Sequence, residues 1–172
     1  MKLLFIGGTG LLSSACSELA IQRGHELFLL NRSVSRQCLA PKAAAVLQAD
    51  IHADSTHLAA LLAGHRFDAV VDFIAFTADD IERDLALFRD KTDQFVFISS
   101  ASAYQKPPQN YIITEETPLE NPFWEYSRNK IACENLLMRT YREDKFPVTI
   151  IRPSLTYGPT QIPFCGGSWL HP

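Results

Sequence analysis

Apolar runs of strand length alternate along this chain with stretches whose apolar residues return at helical spacing, the pattern of consecutive βα units. The first run, residues 2–6, reads KLLFI and stops at Gly7-Gly8-Thr9-Gly10. Leu11, Leu12, Ala15, Leu19 and Ala20 then recur along a helix until Arg23-Gly24, a basic residue and a glycine that end it. Further strands are predicted over residues 26–30, 44–49, 68–74, 94–99 and 148–151, and helices over 55–63, 77–89 and 123–142. Such alternation builds a doubly wound parallel sheet with helices on both faces, an α/β fold. Two loops rich in turn formers, residues 106–121 and 159–172, are expected to carry substrate contacts above the sheet.

Composition narrows the class. With 172 residues, 47% hydrophobic and 20% charged, the chain suits one globular domain with a sizeable core, and a disordered or fibrous protein is excluded. Sixteen Lys+Arg against nineteen Asp+Glu leave no surplus positive charge for a phosphate backbone, so nucleic-acid binding has no electrostatic support beyond a local basic patch. Cys16, Cys38, Cys133 and Cys165 are too far apart for CxxC pairs and too few for a disulfide scaffold, which points to reduced thiols in a cytoplasmic protein. No run approaches the roughly 18 apolar residues of a membrane helix. Ser14-Ala15-Cys16 faintly suggests a lipoprotein cleavage site, but glycines 7, 8 and 10 interrupt the apolar stretch and have a better explanation.

That explanation is phosphate binding. Gly7-Gly8-Thr9-Gly10-Leu11-Leu12-Ser13 lies between a strand and a helix, where glycine lets backbone approach a pyrophosphate and the helix N-terminus offers free N–H groups. An ordinary tight βα turn is the alternative. Ser13 stands where a third glycine usually packs helix against sheet, so looser packing is expected there. The second strand ends at Asn31-Arg32, with no acid for a ribose 2′-OH. Arg32 can pair with a 2′-phosphate and Ser33 can add a hydrogen bond, which favours NADP over NAD; Arg32 as a solvated loop residue is the rival reading.

Two hydroxyl-rich places carry the remaining chemistry. Residues 95–98 run into Ser99-Ser100-Ala101-Ser102-Ala103-Tyr104 at the C-terminal end of a strand, where open α/β sheets hold their ligands. Tyr126 and Lys130 stand four apart in a helical stretch, hence on one face. A phenol of pKa about 10 is a poor base at neutral pH, and a nearby ammonium favours its ionised form.

Together with the glycine turn, this order of residues resembles the short-chain dehydrogenase/reductase superfamily, in its extended branch of NAD(P)-dependent epimerases and dehydratases, from Met1 to about Pro159. The resemblance implies a Rossmann-like NAD(P)-binding domain over residues 1–159. It also implies that residues 160–172 begin a C-terminal substrate region that is otherwise largely absent. The turn residues Gly7, Thr9, Gly10, Leu11 and Leu12 would hold the cofactor pyrophosphate, with Asn31 and Arg32 at the adenosine ribose. Asp50 and Ile51 would meet the adenine, and Ala75, Lys130 and Pro153 the rest of the cofactor. Asp72-Phe73 departs from the family's usual His-Leu before Ile74-Ala75. The family's catalytic hydroxyl lies four residues before a tyrosine, which selects Ser100 from Tyr104, although Gln105 replaces the glycine that commonly follows. Residues 152–159, Arg-Pro-Ser-Leu-Thr-Tyr-Gly-Pro, match the family's Arg-Pro and Tyr-Gly-Pro segment. By resemblance, Tyr126 is the acid/base, Lys130 lowers its pKa and holds the nicotinamide ribose, and Ser100 orients the substrate oxygen.

The implied activity is that of an oxidoreductase or epimerase/dehydratase on a nucleotide-sugar-like small molecule, with a homodimer as the implied assembly. A non-catalytic dinucleotide-binding sensor or interaction module is the alternative, and an RNA-binding relative a further one that the net charge disfavours. Asp50, His52, Asp54 and His57 fit no zinc spacing, so no metal is expected. Phe123-Trp124 suits either a pocket lining or a hydrophobic staple. Ser168 lacks the frame of a hydrolase nucleophile.

Overall fold

A computed structural model of the chain describes residues 1–32, 40–52 and 55–158. Six strands form one sheet: β1 (Lys2–Ile6), β2 (Glu26–Asn31), β3 (Ala45–Gln48), β4 (Ala69–Asp72), β5 (Phe95–Ile98) and β6 (Val148–Ile151). Their order is β3-β2-β1-β4-β5-β6, and every pairing is parallel. Among the described residues four helices connect them: α1 (Leu11–Gln22), α2 (Ser55–Leu61), α3 (Ala78–Phe88) and α4 (Glu125–Asp144), with a 3-10 turn at Ala101–Ala103. The order reverses between β1 and β4, the place where such sheets open a crevice at the carboxyl ends of their strands.

β1 is apolar from Leu3 to Ile6 because it is covered there on both faces. Leu4 and Ile6 face Leu58 of α2, Ile81, Leu85 and Phe88 of α3, and Cys133 and Leu137 of α4. Leu3 and Phe5 face the opposite cluster with Leu27, Leu29 and Ala20 of α1. Alternate residues thus feed alternate cores, and each fully buried side chain contributes roughly 1.5–3 kcal/mol.

Several predicted elements are longer than the observed ones, for local reasons. The strand predicted over residues 68–74 stops at Asp72, whose carboxylate accepts hydrogen bonds from the Ile74 and Ala75 N–H groups and turns the chain. The strand predicted over 94–99 ends at Ile98, after which the Ser99 hydroxyl donates to Glu134 on α4. Helix α3 begins at Ala78 because Thr77 caps it, its hydroxyl accepting from the Asp80 N–H at 3.3 Å. Helix α4 begins two residues later than predicted and runs on to Asp144, where Lys145 ends it with φ +59°. Ser33, Cys38, Asp54, Pro159, Cys165 and Ser168, and with them the expected boundary at residue 159, lie outside the described residues.

Candidate active site

The turn after β1 admits only glycine at Gly7. Its φ is +81°, and a Cβ there would stand 2.3 Å from Ile74 Cγ2. Around this turn, short side chains tie the backbone down. Ser13 is buried, its Oγ accepting from the Gly10 N–H at 2.8 Å and donating to the Gly7 carbonyl at 2.6 Å. The expected looser packing at Ser13 is therefore corrected: the hydroxyl closes the loop that a third glycine would only permit. Ser17 donates to the Gly8 carbonyl at 2.9 Å, and Asn31 Oδ1 accepts from the Gly8 N–H at 3.1 Å. The first-turn N–H groups of α1 have no acceptor within the helix, and that turn carries no acidic residue. Thr9, Gly10, Leu11 and Leu12 all lie there with partial or full exposure.

Beside the turn is a cavity of about 270 Å³ lined by Gly7, Asn31, Arg32, Asp50, Ile51 and Phe76, among others. Arg32 is exposed at its rim. Asp50 Oδ1 accepts from the His52 N–H at 2.9 Å, which holds the carboxylate beside the buried Ile51. The structure thus gathers the turn and the residues after β2 and β3 that the sequence singled out.

Lys130 lies in the interior between β4 and β5. Only 2% exposed, its ammonium donates to the Ala75 carbonyl at 2.7 Å and to the Ile98 carbonyl at 2.8 Å. It lies 4.8 Å from the Phe76 ring, 4.7 Å from Phe97 and 5.7 Å from Tyr126. Burial pushes its pKa down, while the negative potential of Cys133, Asp72, Asp80 and Glu134 opposes the shift. Ala75 is fully buried and meets Lys130 through its carbonyl.

Tyr126 packs between two rings that belong to different cavities. Phe76, 6.0 Å away, lines the cavity described above. Trp124, 4.8 Å away, lines a second cavity of about 640 Å³ with Ser100, Tyr104, Lys106, Ile113 and Pro153. Pro153, expected at the cofactor, lies on this second cavity, where its carbonyl accepts from the Ala101 N–H at 2.9 Å. Phe123 is 76% exposed and Trp124 55%, so neither is a core staple.

Sequence reasoning missed the side chains that hold these groups. Asn121 Nδ2 donates to the Ser102 carbonyl at 2.8 Å and to Ser127 Oγ at 3.3 Å; Ser127 Oγ donates to Ser102 Oγ at 2.9 Å. Ser102 Oγ and Ser100 Oγ are 2.9 Å apart, and the Ser102 N–H donates to Ser100 Oγ at 3.1 Å. Below them Arg152 grips the buried Glu134 at 2.6–3.1 Å and donates to the Tyr104 hydroxyl at 3.1 Å. Ser102 and Ser127 were visible as hydroxyls flanking Ser100 and Tyr126, but their contact joins residues 25 apart in the chain. His52 contacts Asp80 Oδ1 at 3.4 Å and Arg83 at 3.1 Å.

A parallel sheet in this order, with a glycine turn at the switch point, defines a Rossmann-type α/β protein of the kind that holds a dinucleotide across its crevice. The model of the NAD dependent epimerase/dehydratase family matches residues 3–167, and the chain belongs to that family. A curated UDP-glucose 4-epimerase from Lactobacillus helveticus is 26% identical over 170 residues, 88% of this chain and 51% of its own length. The UDP-Glc/GlcNAc 4-epimerase structure from Campylobacter jejuni, 24% identical, superposes with a TM-score of 0.70 over 88% of this chain and 52% of its own. The UDP-glucuronic acid 4-epimerase of Bacillus cereus, solved in complex with NAD and 19% identical, gives a TM-score of 0.74 over 95% of this chain and 60% of its own. The chain spans about half the length of the curated relative it matches.

Proposed function

We propose that this chain is the cofactor-binding and catalytic portion of an NAD(P)-dependent epimerase, dehydratase or reductase that acts on a nucleotide sugar. The observation that carries the reading is the place of Tyr126, between a ring of the glycine-turn cavity and a ring of the Ser100 cavity, with the Lys130 ammonium beneath. The glycine cradle, the open N-terminus of α1 and the acid-free first turn suit a pyrophosphate. A bound nicotinamide dinucleotide would supply hydride acceptance and return. Gly7, Thr9, Gly10, Leu11 and Leu12 would hold its phosphates, Asp50 and Ile51 its adenine, and Lys130 its nicotinamide side. Tyr126 Oη exchanges a proton with a substrate hydroxyl or carbonyl, and the Lys130 ammonium stands 5.7 Å from its ring. A donor sense that starts at Asn121 Nδ2 and runs through Ser127 and Ser102 leaves the Ser100 proton free for the substrate oxygen.

NADP is the favoured cofactor in this reading. Asn31 uses its amide oxygen on Gly8, which leaves the exposed Arg32 as the group at the cavity rim that suits a 2′-phosphate. The nucleotide-sugar assignment rests on the names of the relatives and on a cavity that offers Trp124, Tyr104 and hydroxyls together. A homodimer, implied by the family resemblance, belongs to the same proposal and is read by sedimentation.

Fluorescence titration with NADPH and NADH tests the cofactor, and Arg32→Ala should weaken NADPH about tenfold while sparing NADH. Tyr126→Phe should lower turnover of an accepted UDP-sugar by about 10²–10⁴-fold with cofactor affinity kept. Wild-type turnover by Tyr126→Phe refutes the mechanism. Saturable binding without turnover of any nucleotide sugar supports the non-catalytic module instead.

A further inference from the structure

Two carboxyl groups meet in the interior where β4 ends. Asp72, fully buried, uses Oδ1 to accept from the Ile74 and Ala75 N–H groups at 2.6 and 2.9 Å. Asp84 on α3, also fully buried, uses Oδ1 to accept from the Arg83 guanidinium at 2.9 and 3.1 Å. The second oxygen of each, Oδ2, is buried with no hydrogen-bond partner, and the two side chains are close enough for Asp72 to push the Asp84 carboxyl up. Ionised carboxylates only accept, so two of them cannot satisfy one another. A single proton between the orphaned oxygens satisfies both.

We propose that Asp72 and Asp84 share one proton through their Oδ2 atoms, and that the acid pair so formed positions Lys130. The route is short. Asp72 Oδ1 fixes the turn through the Ile74 and Ala75 amides, and the Ala75 carbonyl in that turn receives the Lys130 ammonium at 2.7 Å. Without the proton, two buried like charges would face each other at the base of this turn and push it apart.

The surroundings fit one proton. On α3, Arg83 divides its guanidinium between Asp84 and Asp80. After β3, His52 contacts Asp80 and Arg83. On α4, Lys130, Cys133 and Glu134 face the same interior. Burial holds the Asp84 carboxyl well above the usual carboxylate range, the Asp72 charge adds to the shift, and Arg83 opposes it.

The test uses the whole chain with carbon-13 at the aspartate carboxyl and nitrogen-15 at lysine. In the wild type, the Asp84 carbon is expected to keep the signal of a carboxylic acid at pH values where exposed aspartates, of pKa about 4, have ionised. Asp84→Asn keeps a donor toward Asp72 and should preserve the exchange-protected ammonium signal of Lys130; Asp84→Ala removes the donor and should broaden it. Stability gives a third reading. A raised folded-state pKa makes the Asp84 contribution complete below the unfolded value of about 4 and progressively lost as pH rises above it, so the margin of wild type over Asp84→Asn should shrink with rising pH. An Asp84 carbon that ionises with the exposed aspartates, or a margin flat with pH, overturns the shared proton. A protected Lys130 signal in Asp84→Ala overturns the positioning role. None of these readings needs cofactor or substrate, so the pair stands or falls apart from the proposed activity.

Discussion

The Lys130 ammonium donates to the Ala75 carbonyl at 2.7 Å and so joins the second turn of α4 to the turn that leaves β4. The Ile98 carbonyl takes a second bond from the same nitrogen, which ties in β5. One side chain therefore closes three elements around the crevice, and its role in the fold precedes any role toward a ligand.

Replacement of Lys130 by Met should therefore cost stability as well as activity. It keeps most of the apolar stem and strands two carbonyls, one of them fully buried, at ~1–3 kcal/mol each. Urea denaturation should show a loss of about 2–5 kcal/mol. A variant as stable as wild type would mean that these hydrogen bonds contribute nothing net.

At the glycine turn, Ser13→Ala removes the hydroxyl that bridges Gly10 and Gly7. Stability should fall by about 1 kcal/mol, and affinity for a reduced nicotinamide dinucleotide by severalfold, since the loop loses its tie. Unchanged binding would show that the turn is held by Ser17 and Asn31 alone.

Glu134→Ala leaves the Arg152 guanidinium and the Ser99 hydroxyl without their shared acceptor. Breaking a buried ion pair from one side costs about 3–5 kcal/mol, and Glu134→Gln should cost less because it still accepts. The measurement is denaturant unfolding of both variants. Loss of the Arg152 anchor should also free the Tyr104 hydroxyl at the wall of the Ser100 cavity.

Cys133 is fully exposed to neither solvent nor reagent in the native fold, being buried in the main core between β-sheet and α4. Burial pushes its thiol up to about 12. Iodoacetamide at about pH 8 should leave it unmodified until denaturant is added, as mass spectrometry of the alkylated peptides will read, because the thiolate is the reacting species.

The sheet was legible in the sequence because each strand carries its own signal. Continuous apolar runs at residues 3–6 and 27–30 require two covered faces, and the glycines after the first run require a turn that a Cβ would block. The positions at the carboxyl ends of β2 and β3, Asn31, Arg32, Asp50 and Ile51, reach one cavity because parallel strands all end on the same edge. Spacing also put Tyr126 and Lys130 on one helical face. What spacing could not supply was their partners: Lys130 meets Ala75 across 55 positions, and Ser127 meets Ser102 across 25.

Local periodicity and turn chemistry thus determined the order of elements, the glycine cradle and the helix that bears the tyrosine and lysine. The tertiary structure alone decided that Ser13 closes the turn, that Asp72 ends β4 two residues early, and that Asp72 and Asp84 each bury one oxygen without a partner. The physical reason is range. A propensity acts within a few residues, whereas burial and hydrogen-bond satisfaction are set by whichever side chains the packed sheet and helices bring together.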